Sequence, residues 1–492
     1  MDKSWLSALI VCGGLSLRLA AADSLTAQTM PAVRLADGAR FELIAAPTEA
    51  QLNSQAITLW TYNQALPGPL LRVKQGSRVN VSFVNHLEQA TTVHWHGLRQ
   101  DYHFDGVPGI SQQPVAPGGR FDYELAFPDA GLFWYHPHIR EDLQQDLGLY
   151  GAILVEPNDS AAWGRFDRDA VVILDDLLTA EDRLVPHDPR HADHALMGRF
   201  GNTFLVNGST AARFALRAGE VMRLYFLNVA NTRTFRISIP GLKLKRVGAD
   251  LGRFEREEWL DDFVLAPGER LIVDAHFAEA GVYPLRHRGD ANAAVDLARF
   301  EVGAGATASV ASTARENSDL STDLRSLDRF LDRLPAQTIS LRVRRAEGAL
   351  ADPHAGHHMA AIEWEDNMGE ANAAATSADT QWILRDEASG KENMDIDYHF
   401  RRGEQIKIRL RNPLDGGHPM QHPIHFHGQR FAVLAVDGEP VSNRAWKDTV
   451  LVPAGAEVDI VLDASNPGKW MAHCHIAEHL SSGMMLGFEV VN

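Results

Sequence analysis

Eight of the 22 histidines in this chain come in pairs separated by one residue. His94 and His96 stand in "TVHWHG", His136 and His138 in "YHPH", His425 and His427 in "HPIHFHG", and His473 and His475 in "HCH". Residues two apart on a β-strand point to one face, so each pair presents its imidazoles side by side. Four pairs make eight imidazoles, enough for a cluster of metal ions. Imidazole suits copper, zinc and iron alike. Cys474 narrows the choice. It lies between His473 and His475, so its sulfur points to the opposite face and serves a different metal ion. His479 and Met484 follow within ten residues, and His422 lies three before His425, an odd offset that turns it away from the cluster. Two imidazoles, one thiolate and a weak thioether are the ligand set of a blue-copper electron-transfer site. The thiolate then holds one copper while its chain neighbours hold others.

The elements that must position these residues read as strands. "RVNVSFVN", "FDYELAF", "VMRLYFLNV", "RLIVDAHF", "QIKIRLRN" and "EVDIVLDA" alternate and are rich in Val, Ile, Phe and Tyr, with Gly, Pro, Asn and Asp between them. That pattern predicts an all-β chain of sandwiches or barrels. One unit recurs three times. "LLRVKQGSRVNVSFVN" (70–85), "RFALRAGEVMRLYFLN" (213–228) and "DYHFRRGEQIKIRLRN" (397–412) share a strand, a Gly and an alternating strand ending in Asn. Downstream, 116–138, 266–287 and 453–475 align in the same way. The repeat predicts domains at 28–157, 165–303 and 336–492. The Ala/Ser/Thr-rich stretch 302–322 reads as an exposed linker, with 304–335 joining the last two domains, and 365–380 reads as a polar loop or a helix. The copies also test one another. The first and third carry the paired histidines; the second has "NTRTFRISIPG" and "LRHR" there, with His287 alone. The scaffold therefore does not require the histidines.

With 492 residues, 45% of them hydrophobic, the chain is too long for one core. A net charge of −17 without a basic stripe argues against nucleic acid. Residues 1–22 read as an export leader: Lys3, an apolar run interrupted by Arg18, then Ala20-Ala21-Ala22. Cleavage there leaves Cys474 as the lone thiol, so no internal disulfide forms. No second stretch is long and apolar enough to span a membrane.

In these motifs the chain resembles the multicopper oxidases with three consecutive cupredoxin-like Greek-key domains, a group that includes laccases and bacterial cuprous oxidases. "HWHG", "HPH", "HPIHFHG" and "HCHIAEHLSSGM" carry the resemblance. It implies four coppers per chain. Type 1 copper would be held by His422, Cys474, His479 and axial Met484, and type 2 copper by His94 and His425. The type 3 pair would be held by His96, His136, His138, His427, His473 and His475. The implied reaction takes single electrons from a reductant at type 1, through His422 and Cys474, and reduces O₂ to water at the other three coppers. The reductant would be a small phenolic compound or Cu(I). An exported monomer, in a bacterial periplasm, is expected.

Protons must also reach the cluster. Asp105, nine residues after His96, matches an acidic position implicated there in bacterial relatives; as Asp-Gly it also reads as a turn former. Leu480 stands where such relatives often carry Glu directly after the type 1 histidine. Glu478 is either its substitute or a solvated surface charge. The segment 352–368, with His354, His357, His358, Met359 and Met368, can be a copper-docking insert or a plain polar loop. Three function classes follow: a laccase-like oxidase of phenols, a cuprous oxidase for copper tolerance, and a copper-free cell-division relative. The intact set of twelve ligands argues against the last.

Overall fold

The computed structural model describes residues 25–26, 30–53, 55–289, 293–305, 313–346 and 360–492. The leader at 1–22 and the histidines 354, 357 and 358 with Met359 lie outside them. Three two-sheet sandwiches follow one another along the chain. The first pairs a five-stranded sheet built around Arg40–Leu52, Arg78–Asn85 and Arg120–Ala126 with a second holding Leu70–Lys74, Gly151–Glu156, Gly131–His136 and His94–His96. The other two each pair six strands with five.

The repeat seen in the sequence is a repeat of register. Leu70–Lys74, Ala212–Arg217 and Asp397–Arg401 each run parallel to the last strand of their sandwich. In each copy the strand closing the second repeated segment lies antiparallel to the strand that bears, or could bear, histidine: His94↔His136, Ser238↔Arg286, His425↔His473. This register puts His287 opposite Ile237, the place that Cys474 holds opposite Ile424.

Several strands depart from expected alternation, among them Arg270–His276 and Glu457–Ala464, buried except at one end, and Val221–Asn228. Arg78–Asn85 alternates between exposed and buried, whereas every residue of Val221–Asn228 is buried. The second sandwich packs on the first through a shared core of Leu132, Trp134 and Leu154 with Ile173, Tyr225 and Leu227, so both faces of that strand are covered. Strands buried on both faces lose the period of two. The third sandwich closes on the first through Ala432, Leu434, Trp446 and Val461, with Leu324, Leu327 and Phe330 from the connecting segment. Those three residues belong to the helix Ser318–Arg325 and the 3₁₀ turn Ser326–Phe330, so this part of the connection is packed structure. Within 365–380, Glu370–Ala373 forms one helical turn.

Candidate metal centre

The strands His422–Phe426 and Gly468–Cys474 set the chemistry. With Ile424 opposite Cys474 and His425 opposite His473, alternation sends the cysteine and the two histidines to opposite sides. Cys474 Sγ lies 3.5 Å from His422 Nδ1 and 3.8 Å from His479 Nδ1, and the two nitrogens are 3.2 Å apart. The short helix Ala477–Ser481 returns His479 to this group. Met484 is buried beside it; its carbonyl accepts from Cys474 N–H at 3.1 Å, and its N–H donates to the His479 carbonyl at 3.0 Å. Trp382 stacks on the His479 ring at 4.0 Å and meets His422 edge-on at 4.8 Å. Burial pushes the Cys474 thiol well up and lowers His422 to about 3. A neutral thiol is the natural state of that sulfur until a cation holds it as thiolate. Ile476 N–H, 3.4 Å from Sγ, is aimed to stabilise that charge.

On the other side the eight paired histidines converge. Ring centroids are 4.0 Å apart for His94 and His427, 3.7 Å for His96 and His425, 5.3 Å for His136 and His475, and 5.2 Å for His138 and His473. Burial holds His94 below its ordinary range and holds His96, His136, His427, His473 and His475 well below it, so these rings keep free lone pairs. In six rings Nδ1 has a partner. His94 bonds the Asp105 carbonyl at 2.7 Å, His136 that of Pro137 at 2.8 Å, His425 that of Asp448 at 2.9 Å and His473 that of Cys474 at 2.8 Å. His138 bonds Glu141 Oε1 and His427 bonds Asp105 Oδ2, each at 2.8 Å. Nε2 is then left without a partner on His94, His136, His138, His425 and His475, and on His427 and His473 the two Nε2 atoms face each other at 2.9 Å. His96 is reversed: Nε2 lies 3.1 Å from Asp448 Oδ1, and Nδ1 is left over.

That pattern is the test of fit for a metal. Each orphaned buried nitrogen costs about 1–3 kcal/mol if nothing satisfies it. Rings oriented through one nitrogen, with the other aimed at a common focus, are how proteins hold metal ligands. Ligand atoms of His138, His427 and His473, of His94, His425 and His427, and of His422, Cys474 and His479 each lie within 4.8 Å of one another. The donor set, imidazoles with one thiolate apart from the cluster, suits copper.

All twelve predicted ligands are buried at these two groups. Asp105 is buried as well, with Oδ2 on His427 and Oδ1 3.3 Å from His94 Nδ1. It also ends a 3₁₀ turn through its N–H to the Tyr102 carbonyl. Glu478 is not a surface charge. It is fully buried, accepting from Asn231 Nδ2 and Thr232 Oγ1 of the second sandwich at 2.9 Å each. Burial, with Asp142 and Asp146 nearby, pushes its carboxyl up to about 8 against the Asn231 bond. Asp448 and Glu141 were missed from the sequence. The available signals were an Asp leading the apolar run "TVLV" and a Glu three after His138.

Comparison with known proteins agrees with this geometry. Profiles described as multicopper oxidase match residues 45–160, 169–317 and 366–492. A multicopper oxidase of Mycobacterium tuberculosis is 28% identical over 89% of this chain and 84% of its own. Copper resistance protein A of Escherichia coli is 24% identical over 93% of each chain. The crystal structure of a multi-copper oxidase from Pseudomonas thermotolerans superposes with a TM-score of 0.70 at 29% identity, covering 94% of this chain and all of that one. With a thiolate group and an eight-histidine group built on three repeated sandwiches, the chain belongs to the multicopper oxidase family.

Proposed function

We propose that the chain holds four coppers and oxidises small phenolic compounds, with O₂ as the electron acceptor. The assignment is type 1 at His422, Cys474, His479 and Met484; type 2 at His94 and His425; and type 3 at His96, His136, His138, His427, His473 and His475. One observation carries it: Cys474 faces His422 and His479 while His473, its immediate neighbour, faces His427 on the other side. When bound, copper supplies one-electron chemistry at the thiolate and shared multi-electron chemistry among the eight imidazoles. The protein's part is to keep water out, since every ligand is buried, and to hold a proton-accepting group, the Asp105 carboxylate, against His427 and His94. Met484, as a weak thioether ligand, would stabilise the oxidised copper and would suit easily oxidised donors such as phenols and aromatic amines. The domain limits, the leader at 1–22 with export to a bacterial periplasm, and a monomeric state belong to the same reading.

Cu(I) as the reductant is the second reading. Met197, Met368 and Met420 lie in the same buried core as Cys474 and Met484, and thioethers favour Cu(I). The E. coli relative's name points the same way. Steady-state kinetics on a methoxyphenol and on chelated Cu(I), with and without residues 354–359, separate the two. Phenol turnover without added copper, unchanged by the deletion, is expected. A phenol rate that needs excess copper, with Cu(I) turnover lost on deletion, reverses the choice.

A further inference from the structure

The second sandwich gives no ligand to the cluster, yet it reaches it. Arg270 opens the strand Arg270–His276 and is fully buried. Nη1 and Nη2 donate to Oδ1 and Oδ2 of Asp448, each at 2.6 Å, and Nε donates to the Leu132 carbonyl at 2.8 Å. One guanidinium thus joins all three sandwiches. Asp250 closes the clamp: Oδ1 accepts from Arg270 N–H at 2.9 Å and Oδ2 from Asp448 N–H at 3.2 Å.

Asp448 faces two of the eight rings. Oδ1 is 3.1 Å from His96 Nε2, and its carbonyl accepts from His425 Nδ1 at 2.9 Å. Thr449 Oγ1 donates to Asp448 Oδ1 at 2.8 Å and lies 3.2 Å from His96 Nε2 and 3.1 Å from His425 Nδ1. An ionised carboxylate only accepts, so it takes the His96 Nε2–H and leaves the Nδ1 lone pair free. That accounts for the one reversed ring. The pair also dictates the glycine after His96: a Cβ on Gly97 would lie 2.6 Å from Asp448 Oδ2 and 2.8 Å from Arg270 Nη2. A buried ion pair is weak evidence for stability; here its geometry is spent on two imidazoles.

We infer that the Arg270–Asp448 pair is a positioning device for the metal cluster: it sets which nitrogen His96 offers and holds His425 in place. The ligand-free sandwich thereby reaches one type 3 ligand, His96, and one type 2 ligand, His425, of that cluster. This rests on the copper assignment proposed above. The test uses full-length, copper-loaded protein carrying Arg270→Lys or Asp448→Asn, with Arg223→Lys as control. Arg223 makes an equally buried bidentate pair with Asp274 in the same sandwich and bonds none of the eight rings. Losing an outer partner of a metal ligand lowers affinity by about 10–100-fold. Both test variants should therefore lose copper from the eight-histidine cluster, read as bound copper per chain and as a change in the EPR signal outside type 1, while the blue band stays. The control should lose thermal stability and keep both signals. Should neither single variant accumulate, Arg270→Met with Asp448→Leu replaces the pair by apolar side chains and should show the same loss. Wild-type EPR parameters and copper content in the test variants overturn the inference, as does an equal loss of cluster copper in Arg223→Lys. A wild type that takes up no copper overturns the assignment beneath it instead.

Discussion

The second and third sandwiches use one strand pair for opposite ends. In the third, Ile424 faces Cys474, and His422, two before Ile424, meets the sulfur. In the second, Ile237 faces His287, and Phe235 stands two before it. His287 is buried, with its ring 5.2 Å from Phe235 and 6.0 Å from Phe204, and its Nδ1 accepts from Arg236 N–H at 3.1 Å. The same backbone therefore carries the proposed copper-binding cysteine in one copy and an ordinary core histidine in another. What the second copy lacks in ligands it supplies as contacts. The turn glycine Gly268 packs flush on the His475 ring, whereas its counterpart Gly118 has nothing within 4 Å of the place a Cβ would take. Arg270 is fully buried on Asp448, whereas Arg120, at the same repeat position, is 56% exposed beside Glu42. The copy without the paired histidines forms a wall of the site made by the other two.

The comparison breaks most completely at the sulfur. Cys474→Ser should abolish the blue absorption and reduce O₂ consumption to background, with one copper fewer per chain. His287→Gln, the change at the matching position, should leave both signals intact. Absorption spectra and metal analysis of the two variants decide it, and loss of the band in the second would show that the copies are not divided as described.

A smaller effect is expected at the turns. Both glycines have positive φ, +82° at Gly268 and +72° at Gly118, so Ala costs about 1 kcal/mol at either. Only at Gly268 would the new carbon lie 2.7 Å from His475 Cδ2, adding about 1–3 kcal/mol of overpacking. Thermal midpoints should fall further for Gly268→Ala than for Gly118→Ala; equal falls would mean that the second sandwich does not press on the cluster.

An effect of similar size is a pH dependence. Burial, helped by Arg233, lowers His287 to about 4, while in the unfolded chain it titrates near 6.5. Between those values the unfolded state binds more protons, so stability is full above about pH 6.5 and falls as pH drops toward 4, by roughly 3 kcal/mol. Gln cannot take up that proton. The Tm of His287→Gln should therefore decline less steeply than wild type between pH 7 and 4, and parallel curves would contradict the assignment of this acid limb.

The paired histidines and Cys474 were legible because strand alternation is a local rule, and the internal repeat showed which residues the scaffold can do without. The all-β class was legible for the same reason. Glu478 was not, since one charged residue in "IAEHL" reads the same whether it meets water or Asn231 and Thr232. Arg270, Asp250, Gly268 and Asp448 were hidden because their partners lie in other repeats, 178 positions apart for Arg270 and Asp448. Alternation carries no information about such contacts. The uniform burial of Val221–Asn228 was missed likewise, because it comes from a neighbouring sandwich and not from the strand itself.

The central claim is that two separate metal groups lie on the two sides of one strand, joined through Cys474. Visible absorption and EPR spectra of copper-loaded His94→Ala test it most directly. The account predicts an intact blue band and type 1 EPR signal, with the type 2 signal and O₂ reduction lost. Bleaching of the blue band in that variant would contradict it.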